Sequence, residues 1–170
     1  MVIETSEVYF SDIESPVGKL FIASTVDGLC KISFGGREEF HTWLEENFPK
    51  SVFKCSSAAN SKYEFALKSY FSGDLTEFDL DLNIKAGGFQ KAALEELAKV
   101  PHGKTVTYGE LAALAGSPRA ARAAGTACAR NPIPIVIPCH RVLASGGRIG
   151  GFGGRIDIKR YLLRLEGVDI

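Results

Sequence analysis

The 170-residue sequence contains no apolar run approaching the roughly 20 residues that a membrane-spanning helix needs. Its first five residues, Met1-Val2-Ile3-Glu4-Thr5, lack the basic start and long apolar core of a signal peptide. Both absences predict a soluble intracellular protein with no membrane partner. The four cysteines, Cys30, Cys55, Cys128 and Cys139, include no Cys-x-x-Cys pair, and no histidine stands at zinc-finger spacing. Neither a structural metal nor a disulfide framework is signalled, and a reducing compartment fits. Methionine and glutamine occur once each and asparagine four times, so thermolabile side chains are scarce.

Net charge is also missing, because 20 Lys and Arg meet 20 Asp and Glu. This zero is a cancellation. Residues 1–100 hold 10 basic and 16 acidic side chains, whereas residues 101–170 hold 10 basic and 4 acidic, and between Pro101 and Ile156 seven basic residues face one acid, Glu110. A basic half of this kind fits a polyanionic partner.

Hydrophobic patterning divides the chain in the same place. Residues 8–13, 20–24 and 29–34 are short apolar or alternating runs separated by the turn signals Ser15-Pro16-Val17-Gly18 and Asp27-Gly28, and predict an antiparallel meander. Helical spacing follows at 38–48 and 62–71, then an acidic strand-like run at 78–82. The prediction is an α+β fold. An N-terminal α/β supporting domain with a small antiparallel sheet spans 1–82, and a mostly helical C-terminal domain spans 86–170.

The second domain opens with a predicted helix over 89–100. Thr107 as N-cap and Glu110 three residues later predict a capping box for a short helix ending at Ala115. Gly116-Ser117-Pro118 then makes a turn, with Pro118 at the first position of a second helix over 119–130. Two short helices around a glycine-containing turn have the signature of a helix-turn-helix. The second of them carries little bulk apart from Arg119 and Arg122. Small residues admit close approach to a DNA backbone and arginines neutralise its phosphates; the alternative is a helix packed tightly on its neighbours through Ala and Gly. Asn131-Pro132-Ile133-Pro134 ends the helix, and the strand-like 135–137 leads into Pro138-Cys139-His140-Arg141-Val142. A thiol leaving an apolar run beside a histidine and a cation is placed for nucleophilic chemistry, although a buried structural cysteine satisfies the same local pattern.

Ile137-Pro138-Cys139-His140-Arg141-Val142, with 106–112, Arg122-Ala123-Ala124-Gly125, Asn131-Pro132, the glycines of 150–154, and Lys159 followed by 162–167, resembles the methylated-DNA-protein-cysteine methyltransferases, which repair O6-alkylguanine in DNA. The resemblance covers about residues 86–168. It implies that Cys139 takes the alkyl group irreversibly, once per molecule and with no cofactor. It further implies that His140 accepts the thiol proton through water, Glu166 orients the imidazole, Tyr108 offers a proton to guanine N3, and Asn131 braces the turn. The partner implied is double-stranded DNA, bound in the minor groove by a monomer, in the cytoplasm (at the nucleoid) of a prokaryote or the nucleus of a eukaryote. DNA contact falls to Arg119, Arg122, Ala123, Ala124, Gly125, Thr126, Ala127 and Tyr108, with Arg122 filling the space of the flipped base. Pro138, Val142, Phe152, Gly153 and Gly154 would line the alkylguanine pocket. Two departures from the family bear on substrate range: Ala124 stands where Val is commoner, and Phe152 and Gly153 stand where many members carry Tyr and Ser. Other readings of the same residues are a non-catalytic binder of alkylated DNA, a Cys-His-Glu thiol hydrolase, and a sequence-specific regulator.

Overall fold

The computed structural model describes residues 6–170; the segment 1–5, where no leader is expected, lies outside them. The chain divides into two compact units, Met1–Lys85 and Ala86–Ile170.

In the first unit β1 (Glu7–Ile13), β2 (Leu20–Thr25) and β3 (Gly28–Ser33) form the expected antiparallel meander. A fourth strand, β4 (Val52–Cys55), adds to β1 in parallel, so the sheet is mixed with order β3-β2-β1-β4. This edge strand has four mostly exposed residues, and without a buried face it carries no alternating pattern to read. The two-residue period of β2 explains why nearly all of it is buried. Phe21 and Ala23 pack with Val8 and Cys30 against Phe40, Leu44 and Phe48 of helix α1 (Arg37–Asn47) and the residue after it. The alternate position Ser24 meets helix α2 (Ser57–Phe71), which starts five residues earlier than the apolar spacing indicates because Ser56 caps it by accepting from Ala59 N.

Asn60 fastens α2 to the sheet. It is fully buried, donates from Nδ2 to Ser11 Oγ at 3.0 Å, and accepts from Ser24 Oγ at 2.5 Å. The run at 78–82 is no strand: it makes one bridge, Leu29 with Leu82, flanked by Leu29 N to Asp81 O at 2.9 Å and Asn83 N to Leu29 O at 2.8 Å. Gly28 makes that approach possible, since its φ is +131° and a Cβ there would stand 2.3 Å from Asp81 O.

The second unit contains α3 (Gly88–Leu97), β5 (Val106–Thr107), α4 (Tyr108–Leu114), α5 (Ala121–Ala129), a 3-10 turn at Cys139–Arg141, β6 (Val142–Leu143) and α6 (Ile156–Leu165). The predicted capping box is present: Thr107 Oγ1 accepts from Glu110 N at 3.2 Å and Glu110 Oε2 from Thr107 N at 2.6 Å. Helix α5 starts two residues later than the sequence indicates. Pro118 and Arg119 lie in a turn closed by Ala120 N to Ser117 O at 2.8 Å, so Pro118 is not a first helical residue. The buried segment 135–137 is likewise a turn and not a strand, bounded by a Pro134–Ile137 bridge; Pro132, Pro134 and Pro138 have no N–H to give a ladder. Among the described residues no helix is long and apolar enough to cross a membrane.

Asn60→Ala should lower the unfolding free energy of the first unit by about 1–3 kcal/mol, because Ser11 and Ser24 lose buried partners. Chemical denaturation followed by Trp43 fluorescence measures it, and an unchanged midpoint would show that the polar tether contributes nothing.

Candidate active site

The site is assembled by short elements. Strands β5 and β6 pair in parallel, Val106 with Val142 and Thr107 with Leu143. That pairing sets Tyr108, the first residue of α4, beside the chain that leaves Cys139. Tyr108 is then enclosed from two sides. A Cβ on Gly125 of α5 would lie 3.8 Å from its ring, and one on Gly150 would lie 3.3 Å from its ring and hydroxyl. Gly150 also has φ +69°, so glycine is required there both by space and by backbone.

Asn131 holds the turn before Cys139. Its Oδ1 accepts from Ile133 N at 3.0 Å and its Nδ2 donates to Ile137 O at 2.7 Å, the carbonyl that also receives Cys139 N at 2.8 Å. Within this turn Ile135 has φ +74° while fully buried. A β-branched residue in the left-handed region costs on the order of 1–3 kcal/mol, and it persists because the surrounding bonds overdetermine the turn.

Cys139 opens the 3-10 turn and is 6% exposed. Burial pushes its thiol above the usual range; a hydrogen bond from Asn131, the Lys159 charge and the N–H groups of Cys139 and His140 pull the other way. His140 is fully buried and its Nε2 lies 2.6 Å from Glu166 Oε1. Glu166 accepts three further bonds, from Arg141 Nη2 to Oε1 at 2.9 Å, and from Arg141 Nε at 2.8 Å and Gly103 N at 3.2 Å to Oε2. Arg141 also donates to Val100 O at 2.5 Å. Burial holds His140 below its ordinary value; the Glu166 carboxylate opposes this, but Arg141 and Lys159 reinforce it. With the carboxylate's charge already matched by Arg141, the resting imidazole is neutral and able to accept a proton.

Lys159 has no exposed surface, and its ammonium donates to Val142 O at 2.5 Å and Gly151 O at 3.2 Å, with Tyr108's ring centroid 6.0 Å away. Burial lowers its pKa, while the nearby Cys139 and Cys128 thiols act to raise it. It ties the glycine loop to the segment that follows Cys139.

Two family models match the chain: the ribonuclease-like domain of 6-O-methylguanine DNA methyltransferase over residues 8–84 and the DNA binding domain of the same protein over residues 88–168. The chain belongs to the 6-O-methylguanine DNA methyltransferase family. Among relatives, it is 48% identical over 161 residues to the methylated-DNA--protein-cysteine methyltransferase of Mycolicibacterium paratuberculosis, spanning 94% of this chain and 92% of that protein. The methyltransferase of the same name from Methanosarcina barkeri is 41% identical over 163 residues, 94% of this chain and 97% of its own. Of solved structures, Mycobacterium tuberculosis OGT in complex with DNA matches with a TM-score of 0.79 at 36% identity, covering 94% of this chain and 92% of that one.

Against this 6-O-methylguanine DNA methyltransferase background the expected site residues separate into groups. Cys139, His140, Glu166 and Asn131 lie in one hydrogen-bonded neighbourhood, with Tyr108 and Lys159 beside it. Pro138 and Val142 are buried next to Cys139, Phe152 is half-buried, and Gly153 and Gly154 are exposed. On α5 and the turn before it, Arg119, Arg122, Ala123 and Thr126 are exposed and Gly125 is half-buried against Tyr108, but Ala124 and Ala127 are buried. For those last two the packing alternative holds: their small size lets α5 sit close to its neighbours, and they offer no surface to DNA. Sequence reading assigned no role to Arg141 or Lys159. A signal for Lys159 exists, since 159, 162, 163 and 166 follow i, i+3, i+4, i+7 spacing, and a lysine and a glutamate on one apolar helix face are buried charges needing partners. Among the described residues no cluster of three His, Cys, Asp or Glu side chains could hold a metal ion.

Because the folded His140 pKa lies below its unfolded value of about 6.5, the unfolded state binds the extra proton. The contribution is fully present above pH 6.5 and declines as pH falls through it, by up to roughly 1.4 kcal/mol per pH unit until the folded pKa is reached. Unfolding measured from pH 7.5 to pH 5 should show this decline in the native protein and lose it in His140→Gln; equal slopes would mean that His140 is already charged in the fold.

Proposed function

We propose that this protein repairs DNA by moving the alkyl group of O6-alkylguanine onto its own Cys139. Membership of the family and the DNA complex of a 36% identical relative support DNA as the partner. The observation that carries the assignment to particular residues is the continuous hydrogen-bonded unit from Asn131, just beyond α5, through the Cys139 turn to His140, Glu166 and Arg141.

In this reading the Cys139 proton passes through water to neutral His140 as sulfur attacks the alkyl carbon. The bond from carbon to guanine O6 breaks and its electron pair leaves with the base. Tyr108 hydrogen-bonds N3 and supplies it a proton as negative charge develops, so that the alkyl group ends on sulfur and the thiol's proton is balanced by one gained by guanine. Glu166 stabilises the imidazolium while it lasts, following nucleophile, base and orienter logic. The resulting thioether has no route back, so each molecule acts once. A stacked base cannot reach the enclosed thiol, and extruding it costs a few kcal/mol; Arg122, exposed on α5, fills the vacated place while the helix lies in the minor groove. The pocket is walled by Pro138, Val142 and Phe152, with Gly153 and Gly154 closing over the base. The second unit, acting as a monomer, carries both DNA binding and transfer; the first supports it.

Incubation with duplex DNA containing O6-methylguanine should add one methyl group per chain, located on Cys139 by peptide mapping, and Cys139→Ala should gain none while still binding the duplex. A folded protein that takes up no methyl, or that releases it and turns over, would overturn the reading. Affinity for DNA should also fall steeply with salt: removing two phosphate contacts with Arg119→Ala and Arg122→Ala should reduce the log–log slope by about 1.8. An unchanged slope would place the DNA on another surface.

A further inference from the structure

We infer that Cys128 is a resolving thiol for Cys139: when a peroxide oxidises the alkyl acceptor, Cys128 captures it in an intramolecular disulfide that a reductant can reopen. Alkyl transfer as described above makes no use of Cys128. The inference rests on Cys139 being the acceptor.

Both cysteines are fastened to one residue. Asn131 N donates to Cys128 O at 3.2 Å, Asn131 Nδ2 donates to Ile137 O at 2.7 Å, and Cys139 N donates to that same carbonyl at 2.8 Å. Their side chains share surroundings as well, because Tyr108 and Lys159 each feel both sulfurs. Gly125, one turn before Cys128 on α5, is the helix position that abuts the Tyr108 ring, and i, i+3 spacing puts Cys128 on that same face. Cys128 is half-buried and Cys139 nearly enclosed, and neither is in a disulfide. The other two cysteines are placed differently. Cys30 lies in the core of the first unit, with its thiol donating to Ala23 O, and Cys55 is exposed on β4.

The chemistry closes with a peroxide as oxidant. Cys139 sulfur attacks one peroxide oxygen, the O–O bond breaks, and the departing hydroxide takes the thiol proton and leaves as water. Sulfur, now a sulfenic acid, has lost two electrons to the peroxide. Cys128 sulfur then attacks the sulfenic sulfur; the S–S bond forms, the S–O bond breaks, and hydroxide leaves with the Cys128 proton as a second water. The Lys159 ammonium beside both sulfurs favours each thiolate as it forms. Without a resolving thiol, sulfenic acid proceeds to sulfinic acid, which a dithiol does not reverse. For an acceptor used once, that oxidation removes a whole protein molecule before it has met damage.

The test exposes the full-length protein, its Cys128→Ser variant and a Cys55→Ser control to hydrogen peroxide, then to dithiothreitol. Methyl uptake from O6-methylguanine DNA is read at each stage and normalised to each protein's own uptake before oxidation. Peptide mapping should find Cys128 joined to Cys139 in the native protein and in Cys55→Ser, with uptake restored by the reductant. Cys128→Ser should instead carry sulfinic acid on Cys139 and recover several-fold less; Cys128→Ala serves if the serine does not fold. Oxidised Cys139 with no linked Cys128 peptide, or equal recovery with and without Cys128, overturns the inference. Failure of the unoxidised native protein to take up methyl refutes the acceptor reading separately, because the disulfide is read by mass alone.

Discussion

The carboxylate of Glu166 is the interaction on which the second unit depends. It stands just beyond the last turn of α6 and collects four donors from the Cys139–Arg141 turn and the turn at Gly103. Removing either partner of a buried, hydrogen-bonded ion pair costs about 3–5 kcal/mol, since the survivor stays charged without compensation. The arrangement is therefore structural and chemical at once. Arg141 neutralises the carboxylate, which leaves His140 uncharged at rest; the same carboxylate remains within hydrogen-bonding distance to hold the imidazolium once a proton arrives. A histidine paired with a lone glutamate would be protonated more readily and would make a poorer base.

Lys159, two turns before Glu166 along the same helix, has a comparable role. Its two carbonyl partners come from β6 and from the glycine loop, so one ammonium joins segments that have few large apolar side chains of their own with which to pack. The loop's glycines supply the space: Gly150 lets Tyr108 lie against the backbone where any side chain would meet the ring. Buried charge here replaces the hydrophobic contact that a larger core would provide.

Much of this was legible in the residues. The capping box at Thr107 and Glu110, the three-strand meander and the helix pair are local patterns whose signals lie within a few positions. What escaped was set by tertiary context. β4 is a short exposed edge with no alternation, and 135–137 reads as a buried strand because Ile-Val-Ile is apolar, although flanking prolines cannot join a ladder and Ile135 is forced into a left-handed conformation. Arg141 looked like a cation placed to activate Cys139, yet its guanidinium binds Glu166 and Val100 O. The charge division between the halves is sharpened in the same way: of the seven basic residues between Pro101 and Ile156, six are exposed and Arg141 alone is spent internally. The inward turn of Ala124 and Ala127 was equally invisible to composition, since small residues suit a tight helix contact and a narrow groove alike.

The order of the chain gives the Glu166 contact a temporal meaning. His140 precedes its carboxylate by 26 residues. At about 5–20 residues per second, the ribosome delivers the nucleophile and its base one to several seconds before the group that orients them. A nascent polypeptide thus holds a cysteine that cannot yet be committed, and competence arrives in a single event when the final helix docks.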